Sequence, residues 1–427
     1  MLTRRAYSLL AYAAVPFLPL RLWWRGRREP GYREHIGERF GRYGDLRRPA
    51  GEVLWVHAVS LGETRAAAPL VERLARERPQ ATILLTHMTA TGREAGRSLL
   101  PGRMVQAWLP YDVPFAVAAF LEHFAPRACL LMETELWPNV VAASTQRGIP
   151  VFLVNARLSA RSLSGYRRFA ALTQPMFASL AGAAAQTEAD AGRLREAGAR
   201  EVAVTGNLKY DVAVPPSAVA LGATLRARFG SARPVFVAAS TRNGEEALLL
   251  DALARGPLPG NALTVIVPRH PQRFDAVAQL LAARGLRHVR RSADVPVADD
   301  VAVVLGDSLG ELFAYYAAAD VAFVGGSLLP LGGQNLIEPI AAGTPTLVGP
   351  HTFNFADAAK AAVAAGAAVR VADADALVAE VGALLWDAPR RAQMRDAASG
   401  FMAAHRGAVE RLWAWLAPRM KGGGGTG

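Results

Sequence analysis

The spacing of hydrophobic positions changes repeatedly along the chain, and the changes mark its elements. From residue 53 onward, short runs of consecutive apolar residues alternate with longer stretches in which apolar residues recur every three or four positions. The first kind reads as buried strands and the second as helices with one buried face. Strands are expected over 53–59, 82–86, 128–132, 151–154, 182–186 and 201–204, and helices over 62–78, 92–100 and 139–147. A proline-bearing break at 214–216 leads into a further helix. The strand pattern then resumes at 234–239, 263–267, 301–305, 321–324, 346–348 and 368–371. Continuous apolar strands separated by helices predict parallel sheets covered on both faces. The fold class is therefore α/β, with two similar units over 31–212 and 233–400 and a linker over 213–232. A C-terminal helix is expected over 401–418, and a glycine-rich disordered tail over 419–427.

The first 30 residues follow neither pattern. Their apolar part, 6–20, is short for a membrane span and contains Pro16 and Pro19, while Trp23 and Trp24 stand where an interfacial belt would place them. Arg4 and Arg5 precede this stretch; Arg21, Arg25, Arg27 and Arg28 follow it. Arginine on both sides fits a membrane-associated segment lying in, or dipping into, the cytoplasmic leaflet. A cleaved signal peptide is the rival, since Ala11-Tyr12-Ala13 has the small-x-small form, but the basic and aromatic residues that follow are unlike a mature exported start. A buried helix of the first domain is the plainer alternative.

Composition narrows the class. At 427 residues, with 52% hydrophobic and 20% charged, the chain is globular and long enough for two cores. One cysteine, Cys129, excludes an intrachain disulfide, and eight histidines without ligand spacing argue against a zinc site. The net charge of +12 suits a solubilising surface, an anionic membrane or an acidic substrate. Nucleic acid is disfavoured, because no zinc finger, aromatic RNA-binding motif or base-reading basic helix is present.

In parallel sheets, ligands sit beyond the carboxyl ends of the strands, and here those ends are polar. HAVSLGET (57–64) puts Glu63 in the first turn of a helix, where it serves either as a dipole-stabilised carboxylate or as a general base. HMTATG (87–92) suits an anion or an N-cap equally. METELWPN (132–139) places Glu133 and Glu135 beside a core edge, where carboxylates need a partner, with an arginine salt bridge as the structural expectation. NARLSARS (155–162) supplies Arg157 and Arg161, and GNLKYD (206–211) supplies Lys209. In the second half, VPRHPQRF (267–274) presents Arg269 and His270 between two prolines, and GDSLGEL (306–312) carries Glu311 into a helix. The richest stretch is 324–355, where Gly325-Gly326 and Gly332-Gly333 precede Gln334, Asn335 and Glu338, with His351 and Asn354 beyond. A single glycine pair would read as a tight turn. Two pairs beside these polar residues read as a ligand site.

Together, in this order, HAVSLGET, LPYDVP, METELWPN, NARLSARS, GNLKYD, VPRHPQRF, GDSLGEL, FVGGSLLPLGGQN and GPHTFNF resemble 3-deoxy-D-manno-octulosonic acid (Kdo) transferases of Gram-negative bacteria over nearly the whole chain. The resemblance implies GT-B architecture, with two Rossmann-like domains and a deep interdomain cleft. It implies an inverting glycosyltransferase with CMP-Kdo as donor and lipid IVA, a lipid A precursor, as acceptor, at the cytoplasmic side of the inner membrane. No cofactor and no metal are implied. Carried over by motif, Glu63 matches the catalytic base, and Glu133 and Lys209 match positions assigned to transition-state stabilisation. Pro268, Arg269, Leu309, Gly310, Glu311, Asn335, Leu336, Ile337 and Glu338 match nucleotide-binding segments. Gln334 stands where some members have histidine, so an acid–base role there is set aside while a binding role survives. A soluble nucleotide-sugar epimerase of the same fold and a non-catalytic membrane or nucleic-acid scaffold are the competing readings.

Overall fold

The computed structural model describes residues 2–421 except 28, 45, 98, 100–103, 257 and 259. Arg28, the end of the helix expected over 92–100 and the tail from 422 onward therefore lie outside the described residues. The chain divides into two compact units, Met1–Asp211 with Gly407–Gly427, and Val212–Arg406.

The first unit holds strands β1 (Val53–His57), β2 (Thr82–His87), β3 (Met104–Trp108), β4 (Ala128–Met132), β5 (Val151–Ala156), β6 (Gly182–Ala185) and β7 (Val202–Val204). They form one parallel sheet in the order β3-β2-β1-β4-β5-β6-β7. β1, β4, β5 and β6 are buried at every residue, as a sheet with helices on both faces requires. The chain runs outward from β1 to β3, then returns to β4 on the other side of β1. This reversal makes a switch point between β1 and β4. β3 and the helix Pro114–Phe124 are additional to the expected elements.

Two helices, Arg4–Ala14 and Leu18–Arg25, precede the sheet. Among the described residues, no helix is long and apolar enough to cross a membrane. Leu22 and Tyr32 tuck inward, and Ser8 Oγ donates to Asn139 Oδ1 at 2.8 Å, fastening the first helix to the start of Pro138–Gln146. Leu9, Leu10, Phe17, Leu20, Trp23 and Trp24 stay exposed.

The second unit holds β8 (Val235–Thr241), β9 (Leu263–Pro268), β10 (His288–Arg290), β11 (Val303–Leu305), β12 (Val321–Val324), β13 (Thr346–Val348) and β14 (Ala368–Arg370). Their parallel order is β10-β11-β9-β8-β12-β13-β14, with a switch point between β8 and β12. The stretch expected as a linker, 213–232, is mostly the helix Pro216–Phe229, which buries Leu225 and Phe229 in the second core.

The expected C-terminal helix is two helices, Ala388–His405 and Ala408–Lys421. The last one returns to the first unit. Leu412, Leu416 and Met420 enter the core beneath β1 and β4, and Trp415 meets Phe152 edge-on at 5.9 Å. Asp211 accepts from Gly407 N at 2.6 Å and from Val409 N, so its carboxylate holds the N-terminus of the returning helix.

Candidate active site

In the first unit, two of the expected carboxylates follow the two strands that flank the switch point. Glu63 lies after β1, in the first turn of Leu61–Glu77, and Glu133 follows β4 directly. Ser60 caps the helix, and Glu63 reaches back. Its Oε2 accepts from Val59 N and its Oε1 from the Ser60 hydroxyl, each at 2.9 Å. This reciprocal arrangement resembles a capping box and explains why the loop holds its shape. It also fixes the carboxylate. Burial pushes the Glu63 carboxyl up to about 7; nearby Glu133 and Glu135 add to this, while the Val59 and Ser60 hydrogen bonds oppose it. Glu63 thus completes the cap made by Ser60 and carries a carboxyl pushed up to about 7, so its structural role leaves the general-base reading open.

The turn rests on a buried imidazole. His87 Nδ1 faces Ala58 O at 3.0 Å, and the Gln106 amide nitrogen faces Nε2 at 3.1 Å. An amide N–H can only donate, so Nε2 accepts and Nδ1 carries the proton given to Ala58 O. Burial lowers His87 to about 4 and His57 to about 3, so both rings are neutral. Thr89 accepts from Gly92 N at 3.1 Å and donates to Val59 O at 2.9 Å, which realises the N-cap reading of that motif.

Glu133 is held with φ of +55°, a strained backbone for a residue with a side chain. Its partner is Lys209 at 3.0 Å, in place of the arginine anticipated from sequence. Glu135 is half-buried like Glu133, its carboxyl raised by burial and then by Glu133. Arg157 and Arg161 are exposed.

In the second unit the expected residues follow three strands, β9, β11 and β12, of which β12 flanks the switch point. Pro268 closes β9, and Arg269 donates from N to Thr241 O at 2.9 Å and from Nε to Gln334 Oε1 at 3.2 Å. Gln334 is therefore an arginine-holding side chain. Asn335 Nδ2 donates to Glu338 Oε1 at 3.1 Å, and Asn335 Oδ1 accepts from Ile337 N at 3.1 Å. Leu336 and Ile337 are buried, so backbone atoms are what they can offer a ligand. Glu311 accepts from Ser308 Oγ at 2.6 Å and pairs with Arg291 at 3.1 Å. Leu309 is exposed, and Gly310 has φ of +81°. His270 is lowered by burial and then by Arg242, Arg269 and Arg273.

The amides of Gly326 and Leu328 do not wait for an anion, because the buried Glu245 carboxylate accepts from them at 2.6 and 2.9 Å and from Arg242 N at 2.8 Å. Gly325 is required for packing, since a Cβ there would lie 2.6 Å from Ser240 O. Beside Glu245, the buried Glu246 takes Arg273 in a two-pronged contact at 2.5 and 2.8 Å. Glu245 and Glu246 are not among the residues singled out from the sequence. Their consecutive placement after a strand-ending turn was the available signal.

The family model for 3-deoxy-D-manno-octulosonic-acid transferase matches residues 34–212, and that for group 1 glycosyl transferases matches 287–401. A 3-deoxy-D-manno-octulosonic acid transferase of Bordetella pertussis is 48% identical, covering 96% of this chain and 97% of its own. The one from Haemophilus influenzae is 37% identical, covering 97% and 98%. The chain belongs to the 3-deoxy-D-manno-octulosonic acid transferase family. The chain is thus an enzyme, a glycosyltransferase, and its two parallel-sheet units resemble the α/β domains of GT-B glycosyltransferases. A glycosyltransferase from Rickettsia africae matches at TM-score 0.55 and 13% identity, over 87% of this chain and 99% of that one. A UDP-GlcNAc 2-epimerase from Neisseria meningitidis matches at 0.52 and 16%, over 86% and 100%. At such identities the likeness is one of fold, which epimerases and transferases share.

Proposed function

We propose that this Kdo transferase moves Kdo from CMP-Kdo to a hydroxyl of lipid IVA, with inversion, in lipopolysaccharide core synthesis at the cytoplasmic side of the inner membrane. The observation that carries the reading is Glu63, a fixed carboxylate at a switch point with its carboxyl pushed up to about 7. A base with that pKa is half ionised near neutral pH and is strong enough to share the proton of an attacking hydroxyl. In the proposed step, the acceptor oxygen attacks the Kdo anomeric carbon as Glu63 takes its proton. A new C–O bond forms on the face opposite the breaking C–O bond, and CMP departs with the bonding pair. The donor is β-linked and the product α-linked, so a single displacement with one base accounts for the stereochemistry.

Lys209 offsets charge as the phosphate leaves, and Glu133 sets the position of that ammonium. Arg242 and Arg269 favour a nucleotide phosphate, while Arg273 is held by Glu246. Asn335 and Glu338 offer polar atoms to the nucleotide. The reading assigns charge compensation to these cations and requires no metal or cofactor.

Charge distribution supports an anionic membrane and a phosphate-bearing acceptor as partners. The first unit has 31 Lys and Arg against 19 Asp and Glu, the second 17 against 17, so the entire excess falls on the first. Its leading helices expose Leu9, Leu10, Phe17, Leu20, Trp23 and Trp24, with no acid before residue 29. This composition suits helices lying in the membrane plane against anionic headgroups.

The test is incubation with lipid IVA and freshly made CMP-Kdo, followed by mass spectrometry of the lipid. A product heavier by Kdo with wild-type enzyme, and its loss in Glu63→Gln with CMP binding intact, is the expected result. Near-wild-type turnover in Glu63→Gln overturns the base assignment.

A further inference from the structure

Among the residues after the strands, Asn155 makes contacts that the proposed chemistry has not yet used. It is the penultimate residue of β5, next to the β4 end that carries Glu133, and Val154 O, one residue before it, accepts from Glu133 N at 3.0 Å. Asn155 has φ of +51°, a conformation that asparagine tolerates better than most residues with a side chain. From that position its Oδ1 accepts from Leu208 N at 3.0 Å, and its backbone O accepts from Gln186 Nε2 at 2.9 Å. Gln186 Oε1 in turn accepts from Asn207 Nδ2 at 3.0 Å, and Asn207 Oδ1 accepts from Lys209 N at 2.9 Å. The short turn Leu208–Tyr210 that carries Lys209 is thus bonded at two successive amides, both traceable to Asn155.

Asn155 is fully buried, and its Nδ2 has no hydrogen-bond partner among the described residues. A buried unmet donor and a left-handed backbone are both costs, so packing alone would favour glycine or a small apolar residue. Its acceptor oxygens offset those costs by fixing the Lys209 turn.

We infer that Asn155 is a positioning residue that frames the Glu133–Lys209 pair, through β5 on the Glu133 side and through the Leu208 amide on the Lys209 side. It acts through Lys209 and touches no reacting atom. The inference rests on the reading of Lys209 as the group that stabilises the departing phosphate.

A double-mutant cycle in the full-length enzyme tests it. Asn155→Gly keeps the left-handed backbone accessible and removes the side-chain acceptor. It is expected to lower kcat by about 10- to 100-fold, the scale of a misplaced catalytic group, with KM for CMP-Kdo within about twofold. In a Lys209→Met background the same change should cost less than about twofold, because its target is gone. An equal loss in both backgrounds, or no loss in the wild type, overturns the inference. A Lys209→Met enzyme as active as wild type overturns the underlying reading of Lys209 as well. Should Asn155→Gly fail to fold, Asn207→Ala cuts the same chain of bonds at a less buried point and must give the same non-additive pattern.

Discussion

The Lys209 ammonium lies 3.0 Å from Glu133 Oε1, although 76 residues of chain separate them. Both side chains are partly exposed, so the pair is a weak source of stability and a strong source of local field. Glu133 is also one of the charges that raise the Glu63 carboxyl. Lys209→Met therefore has two expected effects. It lowers kcat by about 10²- to 10³-fold through lost charge stabilisation. It also leaves the Glu133 charge uncompensated, which moves the midpoint of the kcat/KM–pH profile above the wild-type value. Steady-state kinetics from pH 5.5 to 9 reads both, and an unmoved midpoint would show that Lys209 does not screen Glu133.

Glu63 should show its role in activity and stability with opposite signs. The proposed base role requires the ionised form, so kcat/KM is expected to fall below about pH 7. The folded-state value lies above the ordinary 4.5, so folding favours the protonated acid. That stability is fully present below about pH 4.5 and is lost as pH rises through about 7. Glu63→Gln removes the titration. It is expected to lower turnover by about 10²- to 10⁴-fold and to be more stable than wild type at pH 8 by about 1–3 kcal/mol. The gap should close by pH 5. Thermal unfolding of both proteins at the two pH values is the measurement.

The alternation of elements was legible because parallel strands covered on both faces are continuous apolar runs, as in Val151–Ala156. The edge strand Met104–Trp108 escaped notice because it is only partly buried and carries Gln106 in its middle. The expected C-terminal helix was attached to neither unit, since local periodicity records that Leu412 and Leu416 are buried but not beneath which sheet. Glu63, Glu133 and Lys209 stood out because polar residues at strand ends are conspicuous. Glu245, Glu246 and Asn155 did not, because their importance lies in backbone amides and an arginine brought to them by the fold.

Glu245 is expected to be structurally indispensable to the glycine-rich turn after β12. Glu245→Ala leaves the amides of Gly326, Leu328 and Arg242 without their acceptor. At about 1–3 kcal/mol for each buried unmet group, the second unit should lose at least about 3 kcal/mol. Gln334 accepts from Arg269, and its amide nitrogen approaches the space above Gly326, so nucleotide affinity should weaken together with stability. Glu245→Gln keeps one acceptor oxygen and should fall between the two. Denaturant unfolding paired with CMP calorimetry distinguishes this outcome from a role in catalysis alone, which would leave both measurements unchanged.

The leading helices supply the final prediction. Leu9, Leu10 and Phe17 are each more than 60% exposed, while Leu22 of the same segment is buried at 3%. Docking against the sheet therefore uses a different face from the one these three residues present. If that face enters a bilayer, changing the three to serine removes apolar burial worth about 1.5–3 kcal/mol per fully buried side chain. Partial insertion reduces that gain, so binding to vesicles rich in anionic lipid should drop by about 10²-fold. The wild-type interaction should also weaken as salt rises, because the arginines act over a screening length of about 10 Å at 0.1 M. Turnover on a detergent-dispersed acceptor should stay near wild type, since Glu63, Glu133 and Lys209 lie outside the altered helices. Vesicle co-sedimentation at two salt concentrations, run beside the detergent assay, reads each expectation. Unchanged sedimentation of the triple variant would assign membrane contact to another part of the first unit.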